Sequence, residues 1–240
     1  MAGRISSKVV TDGLVLYLDA ANTKSYTSGS TTWNDMSRSG INGTLVNGPT
    51  FSSTNNGGIV FDGTNDYATL GNAPSIKMGV RDFTISVWVK ILTQNGTPTV
   101  RGIITSKSAP AANAGYGLYW SDSVNKFLLS TANGSTASEI FSTNTWSTLI
   151  NSWANIVMIR QSGATNNGHF YINGVYESLA SPVTVLNVDT TNTMNLGNTF
   201  DLYPFYWFTG TYGNIQIHNR ALSATEILQN YNATKSRYQS

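Results

Sequence analysis

The stretch from Tyr212 to Tyr238, YGNIQIHNRALSATEILQNYNATKSRY, constrains the fold most, because a strand ends and a capped helix begins within a few residues. Ile215 and Ile217 alternate with Asn214, Gln216 and His218, the period of two expected for a strand with one buried face. The strand should therefore run to about Asn219, with His218 on its polar face. Ser223 then offers an N-cap oxygen, Glu226 three positions later completes a capping box, and Leu222 can staple onto Ile227. A short helix is predicted over about 224–232. Its narrow apolar face of Ile227, Leu228 and Tyr231 suffices to lie on a sheet but not to form a bundle.

Elsewhere the pattern is that of strands. Phe83, Ile85, Val87, Val89 and Ile91 alternate with Thr84, Ser86, Trp88 and Lys90, and Leu14 to Leu18 is a continuous apolar run suited to a strand covered on both faces. Further strands are predicted at 102–106, 117–120, 126–130, 153–160, 169–172, 175–178 and 193–196. Asn173-Gly174 joins two of them as a type I′ hairpin, whose central residues both need positive φ. With no long helical period before the C-terminus, the spacing predicts an all-β, antiparallel two-sheet sandwich of roughly twelve to fourteen strands with a short C-terminal helix.

The chain has 240 residues, a length that all-β folds commonly use as one unit. Charged residues are only 11%, against roughly 25% in ordinary globular proteins. Polarity comes instead from Asn, Ser, Thr and Gly, and an aromatic content of 11% supplies a core that a disordered chain lacks. Net charge is +2 with scattered basic residues, so no nucleic-acid partner is expected. The first ten residues form no secretory h-region and no segment has a membrane-spanning apolar length, so synthesis in a cytoplasm without membrane insertion is expected. Cysteine is absent, which removes disulfides and thiolate metal sites. The domain reading is an arm at 1–10, flexible or an edge strand, followed by a single sandwich at 11–240. The tail around Lys235 and Arg237 is expected to share the freedom of the arm.

Three stretches carry a resemblance. NRALSATEI at 219–227, DGLVLYLDA at 12–20, and WNDMSRSGINGTLVNGPTF at 33–51 leading to VFDGTNDYATL at 60–70 resemble laminin-G-like, concanavalin A-like jelly-roll lectin domains. The pairing of LYLDAANTKSY with QNYNATKSRY resembles stand-alone laminin-G-like structural proteins of tailed bacteriophages. That resemblance implies a non-enzymatic virion structural protein on the particle surface, decorating capsid or tail, with other virion proteins as partners and an oligomer within an assembly. The alternative, implied by the lectin-like fold, is a carbohydrate-binding adhesion module for host-surface glycans, with a glycoside hydrolase as the least favoured reading.

Hydrolysis of glycosides needs two carboxyl groups flanking the scissile bond. The only glutamates are Glu139, Glu177 and Glu226, without acidic neighbours, and His169 and His218 lack partners at triad or metal-ligand spacing, so no catalytic residue is assigned. No cofactor is required. Asp62, Asn65 and Asp66 in FDGTNDY are candidate calcium ligands of the kind related domains carry on a rim loop. The favoured reading is a hairpin turn, whose preferred chemistry Asp-Gly and Asn-Asp also are. Asp19 and Asp35 share that ambiguity. Rings are the remaining candidates for a ligand or partner surface: Tyr203, Tyr206 and Trp207 in LYPFYWFTGTY, and Tyr116, Tyr119 and Trp120 after the Gly- and Ala-rich loop at 109–117. The competing reading buries Trp207 or Phe208 in a strand through 206–209.

Overall fold

The alternating segment Phe83–Ile91 (β7) is the middle of a sheet, and the rest of the sandwich is laid out around it. The computed structural model describes residues 8–92, 100–107, 113–163, 167–177, 184–199, 201–202 and 206–239. In chain order the other strands are Leu14–Asp19 (β1), Thr32–Trp33 (β2), Gly43–Val46 (β3), Thr50–Ser52 (β4), Gly58–Asp62 (β5) and Tyr67–Thr69 (β6). After β7 come Val100–Thr105 (β8), Gly115–Ser121 (β9), Lys126–Ala132 (β10), Ala137–Phe141 (β11) and Trp153–Gln161 (β12). Asn167–Ile172 (β13), Val175–Glu177 (β14), Asn195–Leu196 (β15) and Thr209–His218 (β16) complete the set.

Every described pair is antiparallel. The first sheet runs β14-β13-β12-β7-β16-β5-β4, with β1 beside the second half of β16, and the second runs β11-β10-β9-β8-β15-β6-β3-β2. Inward side chains of both sheets form one core containing Trp33, Phe61, Phe83, Tyr116, Trp120 and Phe208. The fold is the expected all-β two-sheet jelly-roll sandwich. Sixteen strands are found among the described residues, more than predicted, because short edge pieces such as β2 and β4 span two or three residues and carry no readable period.

The hairpin at Asn173-Gly174 has the predicted register, pairing Ile172 with Val175 and Tyr171 with Tyr176. Both turn residues have positive φ, 53° and 77°. Gly174 also lies against the Tyr231 ring, where a Cβ would approach to 2.8 Å, so the position needs glycine for two reasons.

The helix is Ala224–Thr234 (α1), two residues longer than expected, followed by a 3₁₀ turn at Lys235–Arg237. Its capping box is complete: Ser223 Oγ accepts from Glu226 N, and Glu226 Oε2 accepts from Ser223 N at 2.8 Å. Leu222 and Ile227 pack in one cluster with Val157 and Ile159 on the outer face of the first sheet. The apolar face differs from expectation, since Leu228 is 47% exposed while Ile227, Asn230 and Thr234 are buried. The reason is that the sheet beneath presents Asn214, Gln216 and His218, so the helix meets it with matching polar groups. Asn230 Nδ2 donates to Gln216 Oε1 at 3.1 Å, and Gln216 Nε2 donates to Asn214 Oδ1 at 3.1 Å. His218, expected on the solvent side, is buried under this cover and bonds Val10 O through Nε2 at 3.0 Å.

The two ends of the chain meet on the same face. Of the N-terminal arm, residues 1–7 lie outside the described residues. Val10 donates its N–H to Asn230 Oδ1, and Lys8 O accepts from Gln229 Nε2, so this part of the arm is tied to α1. The C-terminal tail is likewise anchored, contrary to expectation. Arg237 pairs with buried Asp19 at 2.8 Å, and Tyr238 is 4% exposed. Tyr238 lies over Gly213, where a Cβ would come within 2.5 Å of its hydroxyl oxygen, and stacks on Trp88 at 4.5 Å. These contacts give a physical account of why LYLDA and TKSRY occur together.

Candidate functional site

The rings expected on the surface divide into three groups. Tyr116, Tyr119 and Trp120 are buried, at 1%, 0% and 0% exposure, which corrects their assignment to a surface. β9 is an interior strand between β8 and β10, and both its faces are covered. Tyr116 and Trp120 enter the core between the sheets, while Tyr119 points to the outer face of the second sheet, where its hydroxyl donates to Lys107 O at 2.7 Å. Tyr203 lies outside the described residues. Tyr206 and Trp207 are half-buried, Trp207 packing on Tyr67 at 6.3 Å, and Phe208 is in the core. The strand begins only at Thr209, so 206–208 is an irregular lead-in.

The Asp62–Asp66 segment does not make a hairpin. β5 belongs to the first sheet and β6 to the second, so the turn crosses the sandwich edge. Asp62 Oδ1 accepts from Thr64 N at 2.7 Å and Asn65 N at 3.3 Å, and Asp66 Oδ2 accepts from Asp62 N at 3.0 Å. Asp66 is 5% exposed, and burial pushes its carboxyl above the usual carboxylate range. These oxygens are committed to the turn's own N–H groups, and among the described residues no three His, Cys, Asp or Glu side chains gather as metal ligands. Asp62 Oδ1 and Asp66 Oδ2 thus close the turn on its own N–H groups. Asp35 is structural in the same way, its oxygens accepting from Tyr17 N, Ser37 N and Ile41 N.

The glutamates lie in separate networks. Glu177 Oε1 accepts from Asn144 N at 2.6 Å and Trp146 Nε1 at 3.2 Å, and burial raises its pKa. Glu226 pairs with Arg220 at 2.6 Å, and that pair with the capping box holds its carboxyl at about 2. Glu139 accepts from Ser130 Oγ at 2.8 Å, and Ser130 Oγ in turn accepts from Lys107 Nζ at 2.7 Å. Lys107 and Ser130 are fully buried, and desolvation lowers the Lys107 ammonium to about 8. This buried chain bridges a cation to a carboxylate through a hydroxyl, and both ends are neutralised within it.

A groove of about 530 Å³ lies on the outer face of the first sheet, where the helix stops covering it. Its floor comes from β12 and β13, where the register sets Ile159 beside His169 and Val157 beside Tyr171. β14 adds Tyr176 opposite Tyr171, and Ala221, Leu222, Ser223 and Ala224 form the wall at the start of α1. Tyr171 and Tyr176 meet edge to face with centroids 5.1 Å apart, and Tyr176 is 46% exposed. His169 Nδ1 lies 3.4 Å from the Tyr176 hydroxyl, and burial lowers the imidazole pKa, favouring the neutral ring. Gln161, at the end of β12, also lines the groove. Among the described residues, His169 Nε2, the Tyr171 hydroxyl and the Gln161 amide have no hydrogen-bond partner. An aromatic platform with a few unpaired polar groups is chemically suited to a ligand that is apolar on one face and hydroxylated at its edge. Sequence reasoning passed over these residues, although the hairpin register alone places Tyr171 against Tyr176.

Comparison with known proteins gives a consistent picture. Residues 62–228 match the family Laminin_G_3, concanavalin A-like lectin/glucanases superfamily. No curated protein sequence matches the chain. Among solved structures, the binding domain of Paraclostridial Mosquitocidal Protein 1 superposes with a TM-score of 0.70 at 18% identity, covering 92% of this chain and 52% of that one. The Botulinum Neurotoxin serotype G binding domain gives 0.71 at 18% identity, covering 93% and 51%. Trypanosoma rangeli sialidase gives 0.65 at 17% identity, covering 97% and 34%. The chain thus spans about half the length of the two toxin binding domains and about a third of the sialidase. At such identities the likeness establishes the fold alone. Among the described residues no helix is long and apolar enough to cross a membrane.

Proposed function

The chain belongs to the Laminin_G_3 family of the concanavalin A-like lectin/glucanases superfamily, and on that premise we propose that it is a non-catalytic, carbohydrate-binding module acting in adhesion. The observation that carries this reading is the groove with Tyr171 and Tyr176 as platform and His169 and Gln161 as polar rim. A sugar ring presents a C–H face that stacks on an aromatic ring and hydroxyls that need fixed polar partners, and this groove offers both. The structural neighbours named as binding domains support the reading at the level of fold. Against catalysis stand the three glutamates, each in its own network of backbone or side-chain donors. The virion role and its protein partners rest on the sequence resemblance, and no side-chain arrangement favours them.

The test is a glycan panel probed with the purified protein and with Tyr176→Ala. Retention of at least one glycan by the parent chain, lost in the variant at unchanged melting temperature, is the expected result. If no glycan is retained, the reading fails. Glycosidase assays of the parent chain, Glu139→Gln and Glu177→Gln are expected to show no turnover in any of the three.

A further inference from the structure

Resting on the carbohydrate-binding reading, we propose that the groove beside α1 selects a neutral glycan, whose ring stacks on Tyr176 and whose hydroxyls bond Gln161 and His169. The argument is one of charge. Among the described residues, none that lines the groove is a lysine, arginine, aspartate or glutamate. The sequence sharpens this, because from 161 to 188 it contains no Lys or Arg and one acid, Glu177. Glu177 faces away, accepting from Asn144 N and Trp146 Nε1.

Two described cations of the flanking segments are engaged elsewhere. Arg160 ends its strand on the inner side, donating to Leu186 O and Gly79 O at 2.9 Å and lying over the Phe83 ring at 4.7 Å. Arg220 is paired with Glu226 at 2.6 Å and with Asp12 at 2.9 Å. The N-terminus of α1 would attract an anion, but the Glu226 carboxylate of its own first turn already occupies it, accepting from Ser223 N. A carboxylated or sulfated sugar entering here would lose water and find no counter-charge, whereas a neutral ring loses only hydroxyl hydration that the rim can replace.

The experiment titrates the protein with lactose, cellobiose, maltotriose, chitotriose and mannobiose, and in parallel with 3′-sialyllactose and a heparin disaccharide, each at low and high NaCl. We expect at least one neutral sugar to bind with a salt-independent affinity, and sialyllactose to gain nothing over lactose. Tyr176→Ala should weaken the best neutral ligand about tenfold, and Gln161→Ala should weaken it by a smaller factor. Both side chains are exposed, so circular dichroism of the variants should match the parent. Binding confined to the anionic sugars, weakened by salt and by Tyr176→Ala, would overturn the neutral selectivity while leaving the carbohydrate-binding reading in place. Neutral binding that both variants leave unchanged would overturn the groove as the site. Absence of binding to any sugar would sink the inference and the reading together.

Discussion

The outer face of the first sheet has two halves built from the same materials with opposite fates. Under α1 and the C-terminal turn, Trp88 is 1% exposed and stacks on Tyr231 at 5.8 Å and on Tyr238 at 4.5 Å. Its Nε1 donates to Thr234 Oγ1 at 2.8 Å, and His218 and Gln216 beside it are paired within the cover. Two or three strands away, Tyr171, Tyr176 and His169 stand on the same face and line a groove that no other described residue fills. What separates the halves is the cover, since α1 begins at Ala224 and its first turn serves as a wall where the rest of it serves as a roof. The same aromatic and polar materials serve as structure where α1 seals them, and they form the groove proposed as a binding site where it does not.

The largest expected effect tests the sealed half. Trp88→Ala should cost about 3–5 kcal/mol in denaturant unfolding, the range for truncating a buried aromatic. A cost under about 1 kcal/mol would show that the helix does not seal this region. Arg237→Ala should follow, at about 2 kcal/mol, because it strips the cation from Asp19, which is buried. Asp19→Asn in the same chain should recover part of that loss, and strict additivity in this cycle would mean the pair is not coupled.

His218 offers a pH test of the same cover. Burial lowers its pKa below the usual 6.5, and its Nδ1 is a buried atom without a partner among the described residues. The folded state therefore favours the neutral ring. The stability this contributes is fully present above pH 6.5 and falls as the pH drops towards the lowered value. Asp66 and Glu177, raised by burial, act in the opposite sense, so the measurement is the difference between the parent chain and His218→Gln. That difference should shift against the parent chain as pH falls below 6.5, and a constant difference would remove His218 from the account. The smallest effects belong to the open half. Tyr176→Ala and the outward Leu228→Ala should each change stability by no more than about 0.5 kcal/mol, and a larger loss at Tyr176 would mean that the groove is a structural seam.

Much of the architecture was legible in local patterns. The alternation of β7, the capping box at Ser223 and Glu226, and the turn at Asn173-Gly174 each depend on residues a few positions apart, and each formed as read. The failures have a common cause. The Gly- and Ala-rich loop before Tyr119 and Trp120 suggests a rim, but the strand they occupy lies between two others. The Asp62–Asp66 chemistry suggests a hairpin, because turn residues do not say which sheet the next strand joins. Leu228 looked buried because helical period alone does not reveal that the facing sheet surface is polar.

Local sequence determined the elements themselves: strand period, hairpin register, helix start, and the low charge that leaves residues 161–188 without a cation. These depend on backbone geometry and side-chain chemistry within one turn or one strand pair. Only the tertiary structure decided which faces are covered, because coverage depends on pairs such as Asp19 with Arg237 or Val10 with Asn230, more than two hundred positions apart. No local period records such pairs. The groove is a product of both, with its rings aligned by the hairpin and left open by the point at which α1 begins.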